Sequence, residues 1–343
     1  MHLFEDEPAI DEVRQVRAGK FRRYAGLTRT QKLLDMKTVA QNVRDVGRVV
    51  KGYAQARKIL KELRPDGILI KGGYVGVPIG LAAAHLGIPF ITHDSDSIPG
   101  LANRIIAKWA TLHATGMPTE FYSYPKDETV YTGVPISAQF ITVTPELRKQ
   151  YRTDLHLEKC ETVVAVIGAS QGASQLNDDM LAIAGRLMQR HPNIGIIHIA
   201  GPTHEQEVIR GYKEELLSDE LKHIVVKGFV TDVYHYTGAA DVVVSRASAT
   251  VIAELAVQGI ATILVPGQLA GDHQGANAKH LAESNVAIRV ANADREGLYD
   301  AINDLLRNDA KRKTLAANLQ HMAKPAAATE LAQLLLDNFR AGA

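Results

Sequence analysis

Residues 162–190 read TVVAVIGASQGASQLNDDMLAIAGRLMQR, and their pattern indicates the fold class. Its first six residues are apolar or β-branched without alternation, which is typical of a strand buried on both faces. Small residues follow at 168–172, and the apolar positions of 175–190 then recur at helical spacing. A buried strand, a tight turn and an amphipathic helix in this order predict an α/β fold with a parallel sheet.

The same pattern repeats along the 343 residues of the chain, and a polar, charged stretch at 142–159 interrupts it. We therefore predict two domains, at 1–140 and 162–324, joined by a linker at 141–161. A C-terminal helix at 325–343 is expected to pack back on the first domain. The predicted strands are 67–71, 89–93, 112–115, 129–132, 162–168, 195–200, 223–227, 241–245, 261–265 and 286–290, with 13–17 as a further candidate.

The composition is that of a soluble globular protein, with 46% hydrophobic and 22% charged residues. A net charge of +1 argues against a nucleic-acid binder. The single cysteine, Cys160, excludes a disulfide framework and metal sites built from several cysteines. Residues 74–91 carry no formal charge, but their glycines and prolines predict a buried helix and strand rather than a membrane span.

The segment 13–58 is strongly basic, because it holds 13 Lys and Arg residues against only two Asp residues. Much of it falls in a predicted helix at 39–63. One interpretation is a solvated helix face. The other is an electrostatic contact with anionic lipid or with substrate phosphates.

The loop after the strand at 162–168 has two functional interpretations and one purely structural one. Ser170, Gln171 and Gly172 open a helix, where unpaired backbone N–H groups attract a phosphate. The same loop matches G-x-S-x-G, the turn that carries a nucleophilic serine, and Asp241 and His273 could then complete a catalytic triad. A tight turn without function is the simpler alternative.

Two more loops follow strands of the second domain. Glu254 lies about one turn inside a helix, where its carboxylate could accept hydrogen bonds from the vicinal hydroxyls of a ribose or simply face solvent. Asp272 and His273 are adjacent and lack a third spaced ligand, so they predict no metal site.

In the first domain, two loops follow strands at the same expected edge. Gly72 and Gly73 leave room for a phosphate or a sugar, whereas His93, Asp94 and Asp96 are candidate bases. Ligand loops at the carboxyl edges of two sheets predict a cleft between the domains. Such a cleft suits a nucleotide on one side and an acceptor on the other.

Together these motifs resemble the MurG family of GT-B glycosyltransferases, and the resemblance runs from about residue 10 to the C-terminal helix. It implies two Rossmann-like, doubly wound domains and transfer of N-acetylglucosamine from UDP-GlcNAc, with inversion, to a polyprenyl-diphosphate-linked muramyl pentapeptide. The motifs that carry it are GGYV at 72–75, HDSDSIPGLANR at 93–104, GASQGA at 168–173 and DHQGANA at 272–278.

The resemblance also assigns roles to residues. It places Ser170 on the donor diphosphate, the backbone of Phe229 and Val230 on uracil, Glu254 on the ribose and Gln274 on the sugar. The catalytic candidates are His93, Asp94 and Asp96, and the substrate-binding set comprises Gly72, Gly73, Tyr74, Asp96, Ser170, Gln171, Gly172, Phe229, Val230, Ala249, Thr250, Glu254, Gln274 and Asn277.

Three departures from the family pattern matter. The family's His-Glu-Gln-Asn reads His-Asp-Ser-Asp at 93–96, so Asp96 replaces an amide. Ser137 stands where the family has an arginine. No Gly-Gly-Thr-Gly-Gly-His loop occurs in 1–24, so we expect a first domain without its first strands and a chain that is a poor transferase alone.

We further expect no required cofactor or metal, no nucleic-acid partner, and peripheral attachment to the anionic, cytoplasmic face of the cell membrane through the basic N-terminal segment. Two alternatives stay open. One is a non-catalytic UDP-sugar-binding subunit that an N-terminal partner segment completes. The other is a hydrolase that uses Ser170.

Overall fold

The computed structural model describes residues 9–19, 36–168, 174–267 and 272–339, and within them two parallel sheets form. The first sheet has the order β1-β2-β3-β4, and all of its neighbours are parallel. Its strands are β1 (Ile68–Ile70), β2 (Phe90–Asp94), β3 (Leu112–Thr115) and β4 (Thr129–Tyr131).

Three helices accompany this sheet: α1 (Met36–Leu63), α2 (Gly76–Leu86) and α3 (Leu101–Ile106). Burial of apolar side chains between helices and strands forms its core, in which Phe90 and Ile106 are fully buried together with Ala82. The uncharged stretch 74–91 thus forms a buried helix and a buried strand, as predicted. No helix in the described residues is both long enough and apolar enough to span a membrane.

The second sheet has six parallel strands in the order β10-β9-β8-β5-β6-β7. The chain winds outward in both directions from the adjacent pair β5 and β8, and doubly wound sheets bind ligands at the carboxyl edge of such a pair. The strands are β5 (Thr162–Ile167), β6 (Ile194–Ile199), β7 (Ile224–Lys227), β8 (Val242–Ser245), β9 (Ala261–Leu264) and β10 (Ile288–Arg289).

Helices cover both faces of the second sheet, and hydrophobic clusters lie on each side of it. The helices of this part of the chain are α4 (Pro145–Asp154), α5 (Ser174–Arg190), α6 (Glu205–Glu215), α7 (Val233–Ala239), α8 (Ala249–Gln258), α9 (His273–Glu283), α10 (Arg295–Arg307) and α11 (Asp309–His321), and the chain ends in α12 (Ala327–Phe339), which packs on the first sheet. In α12, Leu331 packs with Ile91 and Ala114 of the first sheet. The domain limits themselves stay a prediction.

The ten predicted strands all form, with ends that differ by at most two residues. The further candidate at 13–17 was wrong, because this segment is not a strand. It lies along α1 instead: the backbone N–H of Arg17 donates to Gln55 Oε1 at 2.9 Å, and Val16 packs against the same hydrophobic cluster as Tyr53 of that helix. The apolar spacing that suggested a strand serves this contact with a helix.

Candidate functional site

The two units meet where the loop after β2 touches α9. Asn277 is fully buried there, and its Nδ2 donates to Asp96 Oδ1 at 2.8 Å and to the Ala247 carbonyl at 3.0 Å. Its Oδ1 accepts from the backbone N–H of Ser97 at 2.8 Å. One amide therefore joins the loops that follow β2 and β8, and the carboxyl edges of the two sheets face one cleft.

Asp96 is held on this cleft from two sides. Besides the bond from Asn277, its backbone carbonyl accepts from the Tyr122 hydroxyl at 2.7 Å. Its Oδ2 lies 3.7 Å from His273 Nδ1, and 35% of its side chain is exposed. Asp96 is thus a fixed carboxylate that a ligand in the cleft can reach.

His93 and Asp94 occupy the interior instead. Asp94 accepts from the Gly100 N–H at 2.9 Å and from the Tyr124 hydroxyl at 2.8 Å, and burial raises the pKa of its carboxyl. His93 donates from Nε2 to the Gly133 carbonyl at 2.9 Å, and burial lowers its pKa. Both side chains fix the loop that presents Asp96.

The glycine loop after β1 takes a shape that other residues resist. Gly72 and Gly73 have φ of 83° and 73°, in the left-handed region where only glycine is free of strain. Asn103 lies beside Gly72, and Tyr74 follows with half of its surface exposed. The loop leads into α2 at the cleft edge of the first sheet.

Glu254 is the most perturbed carboxyl of the second unit. It lies in α8, which begins at Ala249 after β8, and burial raises its pKa to about 7. It forms no hydrogen bond or ion pair within the described residues. Leaving a half-buried carboxylate without a partner is costly, and such groups cluster at functional sites.

The loops after β8 and β9 carry two more polar groups. Gln274 Oε1 accepts from the Gly267 N–H at 2.8 Å, which leaves the Nε2 group of that side chain for a ligand. Arg246 donates from Nη1 to the Val265 carbonyl at 3.1 Å and to Asn292 Oδ1 at 2.7 Å, and burial lowers its pKa. Arg246 is therefore a cation held at the carboxyl edge.

The other predicted nucleotide contacts lie after β7, at the start of α8, or outside the described residues. Phe229 and Val230 follow β7 at the carboxyl edge, and their backbone groups make no hydrogen bond within the described part of the chain. Thr250 is exposed at the start of α8. Ser170, Gln171 and Gly172 lie outside the described residues.

The triad of Ser170, Asp241 and His273 is not supported, because Asp241 lies at the opposite edge of the sheet. It precedes β8, where it accepts from Arg152 Nη2 at 2.6 Å and from the Val163 N–H at 2.7 Å. Among the described residues, no three His, Cys, Asp or Glu side chains are grouped so that they could hold a metal ion.

Reasoning from the sequence did not select Arg246, Tyr122 or Tyr124, and it considered His273 only for the triad and for a metal. Arg246 directly follows the end of a strand, and this position could have identified it as a candidate site residue. The two tyrosines gave no such signal, because they act through hydroxyls that reach other loops.

Two family models match the chain. The glycosyltransferase family 28 N-terminal domain matches residues 20–115, and the glycosyltransferase family 28 C-terminal domain matches residues 163–331. The two models thus fall on the first and second sheets.

Two relatives are similar over most of their length, and both are named UDP-N-acetylglucosamine--N-acetylmuramyl-(pentapeptide) pyrophosphoryl-undecaprenol N-acetylglucosamine transferase. The protein of Halothermothrix orenii is 33% identical, over 84% of this chain and 78% of its own length. That of Bacillus licheniformis is 30% identical, over 86% of this chain and 79% of its own.

Among solved structures, MurG of Acinetobacter baumannii superposes with a TM-score of 0.69 at 25% identity, over 85% of this chain and 79% of that one. The UDP complex of MnaA from S. aureus has a TM-score of 0.60 at 12% identity, over 85% and 81%. At that identity the second likeness concerns the fold alone.

Proposed function

The chain belongs to the MurG family of glycosyltransferases, and from that premise we propose which of its residues carry the reaction. It is a UDP-GlcNAc-dependent transferase of GT-B architecture, which moves N-acetylglucosamine to the muramyl pentapeptide of a polyprenyl-diphosphate lipid in peptidoglycan synthesis. The predicted fold and activity are thus confirmed. Neither the described residues nor these relatives favour a Ser170 hydrolase or a non-catalytic subunit.

The observation that supports the donor site is Glu254, a half-buried carboxyl at the carboxyl edge of the second sheet with no partner among the described residues. Two vicinal ribose hydroxyls would supply hydrogen bonds that this part of the chain does not. Phe229 and Val230 would meet uracil through backbone groups, and Gln274 would contact the sugar through Nε2.

The loop with Ser170, Gln171 and Gly172 would bind the diphosphate of the donor through backbone N–H groups. Arg246 supports the same end of the site, because a buried cation near departing UDP stabilises the negative charge that develops there. It would replace part of the charge lost where Ser137 stands instead of the family arginine.

The acceptor half would use the first sheet. Gly72, Gly73 and Tyr74 leave space at the cleft for the acceptor phosphates or sugar. An acceptor hydroxyl attacks the anomeric carbon of N-acetylglucosamine while a base removes its proton and the bond to UDP breaks. Of the three candidates, only Asp96 reaches the cleft, because His93 and Asp94 are buried and bonded within the protein.

We further propose that α1 attaches the protein to the anionic, cytoplasmic face of the membrane. A cavity of about 670 Å³ there is lined by Arg17, Arg44, Arg48 and Lys51. Exposed apolar side chains lie on the same helix, among them Val50, which is 62% exposed. Such a surface combines charge attraction with apolar contact, as peripheral membrane binding requires.

An N-terminal partner segment stays a proposal of its own. Within the described residues, β1 is the outer strand of the first sheet, and its outer edge offers backbone groups to a further strand. Comparing transfer rates with and without a separately supplied N-terminal segment of a family member tests whether such a segment completes the acceptor site.

The test of the donor site is calorimetry with UDP and UDP-GlcNAc, with and without Mg²⁺. A charge-assisted hydrogen bond contributes about 1.5–3 kcal/mol, so Glu254→Ala should weaken binding roughly ten- to hundredfold. The control is Glu283→Ala, which removes an exposed carboxylate from α9. Equal affinity of Glu254→Ala and wild type, or binding only with Mg²⁺, would contradict the proposal.

A further inference from the structure

His273 stands across the cleft from Asp96, and its Nδ1 is the ring nitrogen that lies near the carboxylate. It is the first residue of α9, and its Nδ1 lies 3.7 Å from Asp96 Oδ2. That Nδ1 is buried and forms no hydrogen bond within the described residues. Since 30% of the side chain is nevertheless exposed, other atoms of the side chain are open to the cleft.

Asp96 is fixed so that only one of its oxygens is available to His273. Asn277 donates to Oδ1, and Tyr122 holds the backbone carbonyl of Asp96, which leaves Oδ2 directed at the imidazole. An N–H···O bond has a length of about 2.7–3.2 Å, so an approach of less than about 1 Å would join the two groups. The Asp96 side of this contact is held by buried groups of both units, Asn277 and Tyr122.

We infer that His273 is a catalytic residue and that Asp96 positions it, which deepens the proposed transferase function and rests on it. A carboxylate at Nδ1 keeps the proton on that nitrogen and leaves Nε2 as the acceptor. His273 Nε2 takes the proton of the acceptor hydroxyl as its oxygen bonds to the anomeric carbon. The carbon–oxygen bond to the diphosphate breaks, and UDP leaves with the electron pair.

A catalytic role of His273 accounts for the carboxylate at position 96. An asparagine there, as the family resemblance led us to expect, could not stabilise the imidazolium that forms when the hydroxyl proton is taken. It also explains why the pair spans two units: the base is assembled only where the acceptor-side loop and the donor-side helix meet. The other histidine of this region, His93, is excluded because it is fully buried and its Nε2 is bonded to Gly133.

The test compares His273→Gln, Asp96→Asn and the double variant in a transfer assay with a soluble polyprenyl-diphosphate acceptor analogue. His273→Gln should lower kcat by about 10²–10⁴-fold while the Kd for UDP changes less than about threefold. The double variant should be no slower than His273→Gln, because Asp96 acts through the imidazole. Added imidazole should restore part of the activity of His273→Ala, which a purely structural role would not produce.

The matched control is His280→Gln, the same change on the same helix. His280 stacks on Phe121 with ring centroids 4.7 Å apart and faces no carboxylate within the described residues. This variant should keep its kcat. A slow Asp96→Asn beside a His273→Gln of wild-type kcat would overturn the inference and leave the transferase proposal standing with Asp96 as the direct base.

A second measurement needs no turnover. Nitrogen-15 NMR of the imidazoles in the UDP-bound protein should show His273 with its proton on Nδ1, and Asp96→Asn should shift that tautomer toward Nε2. A proton on Nε2 of His273 in the wild type at neutral pH would overturn the inference. Failure of UDP to bind in the same titration would instead contradict the donor-site proposal.

Discussion

Glu254→Gln should make the unliganded protein more stable at alkaline pH. Burial raises the pKa of Glu254 from its ordinary value of 4.5 to about 7. The folded state therefore holds this proton at pH values where the unfolded chain has already released it, so the free energy of unfolding falls as the pH rises between about 4.5 and 7. A pKa difference of this size corresponds to an upper limit of about 3 kcal/mol.

Glutamine removes this dependence because it has no proton to lose. Below about pH 4.5 the two proteins should have similar stability, and at pH 8 the variant should be more stable by up to about 3 kcal/mol. Other titrating groups affect both proteins alike and cancel in the difference. Bound UDP should reverse the order at pH 8, since only the carboxylate gains two strong hydrogen bonds from the ribose.

The assay is urea unfolding at several pH values between 4.5 and 8, with and without UDP, followed by circular dichroism. The exposed Glu283→Gln on α9 provides the control and should show no pH-dependent difference from wild type. A gap between wild type and Glu254→Gln that stays constant from pH 4.5 to 8 would refute the reasoning. A gap that UDP leaves unchanged would refute the ribose contact alone.

Three further predictions concern other parts of the molecule. Asn277→Ala should lower the free energy of unfolding by about 3 kcal/mol or more, because it leaves buried hydrogen-bonding groups without their partner. Asn318→Ala at the surface is the control and should cost less than about 1 kcal/mol. Equal losses of the two variants in urea unfolding would contradict this prediction. Gly73→Ala should lower the free energy of unfolding by about 1 kcal/mol through backbone strain alone, because a Cβ there meets no atom within 4 Å. An unchanged Tm would show that Gly73 does not keep its left-handed backbone conformation. Replacing both Arg44 and Arg48 by Ala should lower the affinity for phosphatidylglycerol vesicles, measured by sedimentation, by roughly tenfold or more. Wild-type binding that does not change with salt concentration would contradict attachment through α1.

The positions of the strands and of the ligand loops could be predicted from the amino-acid sequence. The spacing of hydrophobic residues and the choice of turn residues are local properties of the sequence. For this reason the bounds of β3 were predicted residue for residue, and those of β5 with one end off by one residue. The family motifs are local strings as well, and for that reason they led to the correct family. The failure at 13–17 has the same origin: the apolar residues of a short segment do not reveal whether a strand or a helix covers them.

Which side chains meet could be seen only in the folded protein. Asp96 and His273 are far apart in the sequence, and sheet order together with the packing of the two units brings them to 3.7 Å, while Asp241 is carried to the opposite edge. The raised pKa of Glu254 likewise depends on what surrounds α8 and not on its neighbours in sequence. Period and composition act over a few residues, but electrostatics and hydrogen bonding act through space, and the fold alone sets those distances.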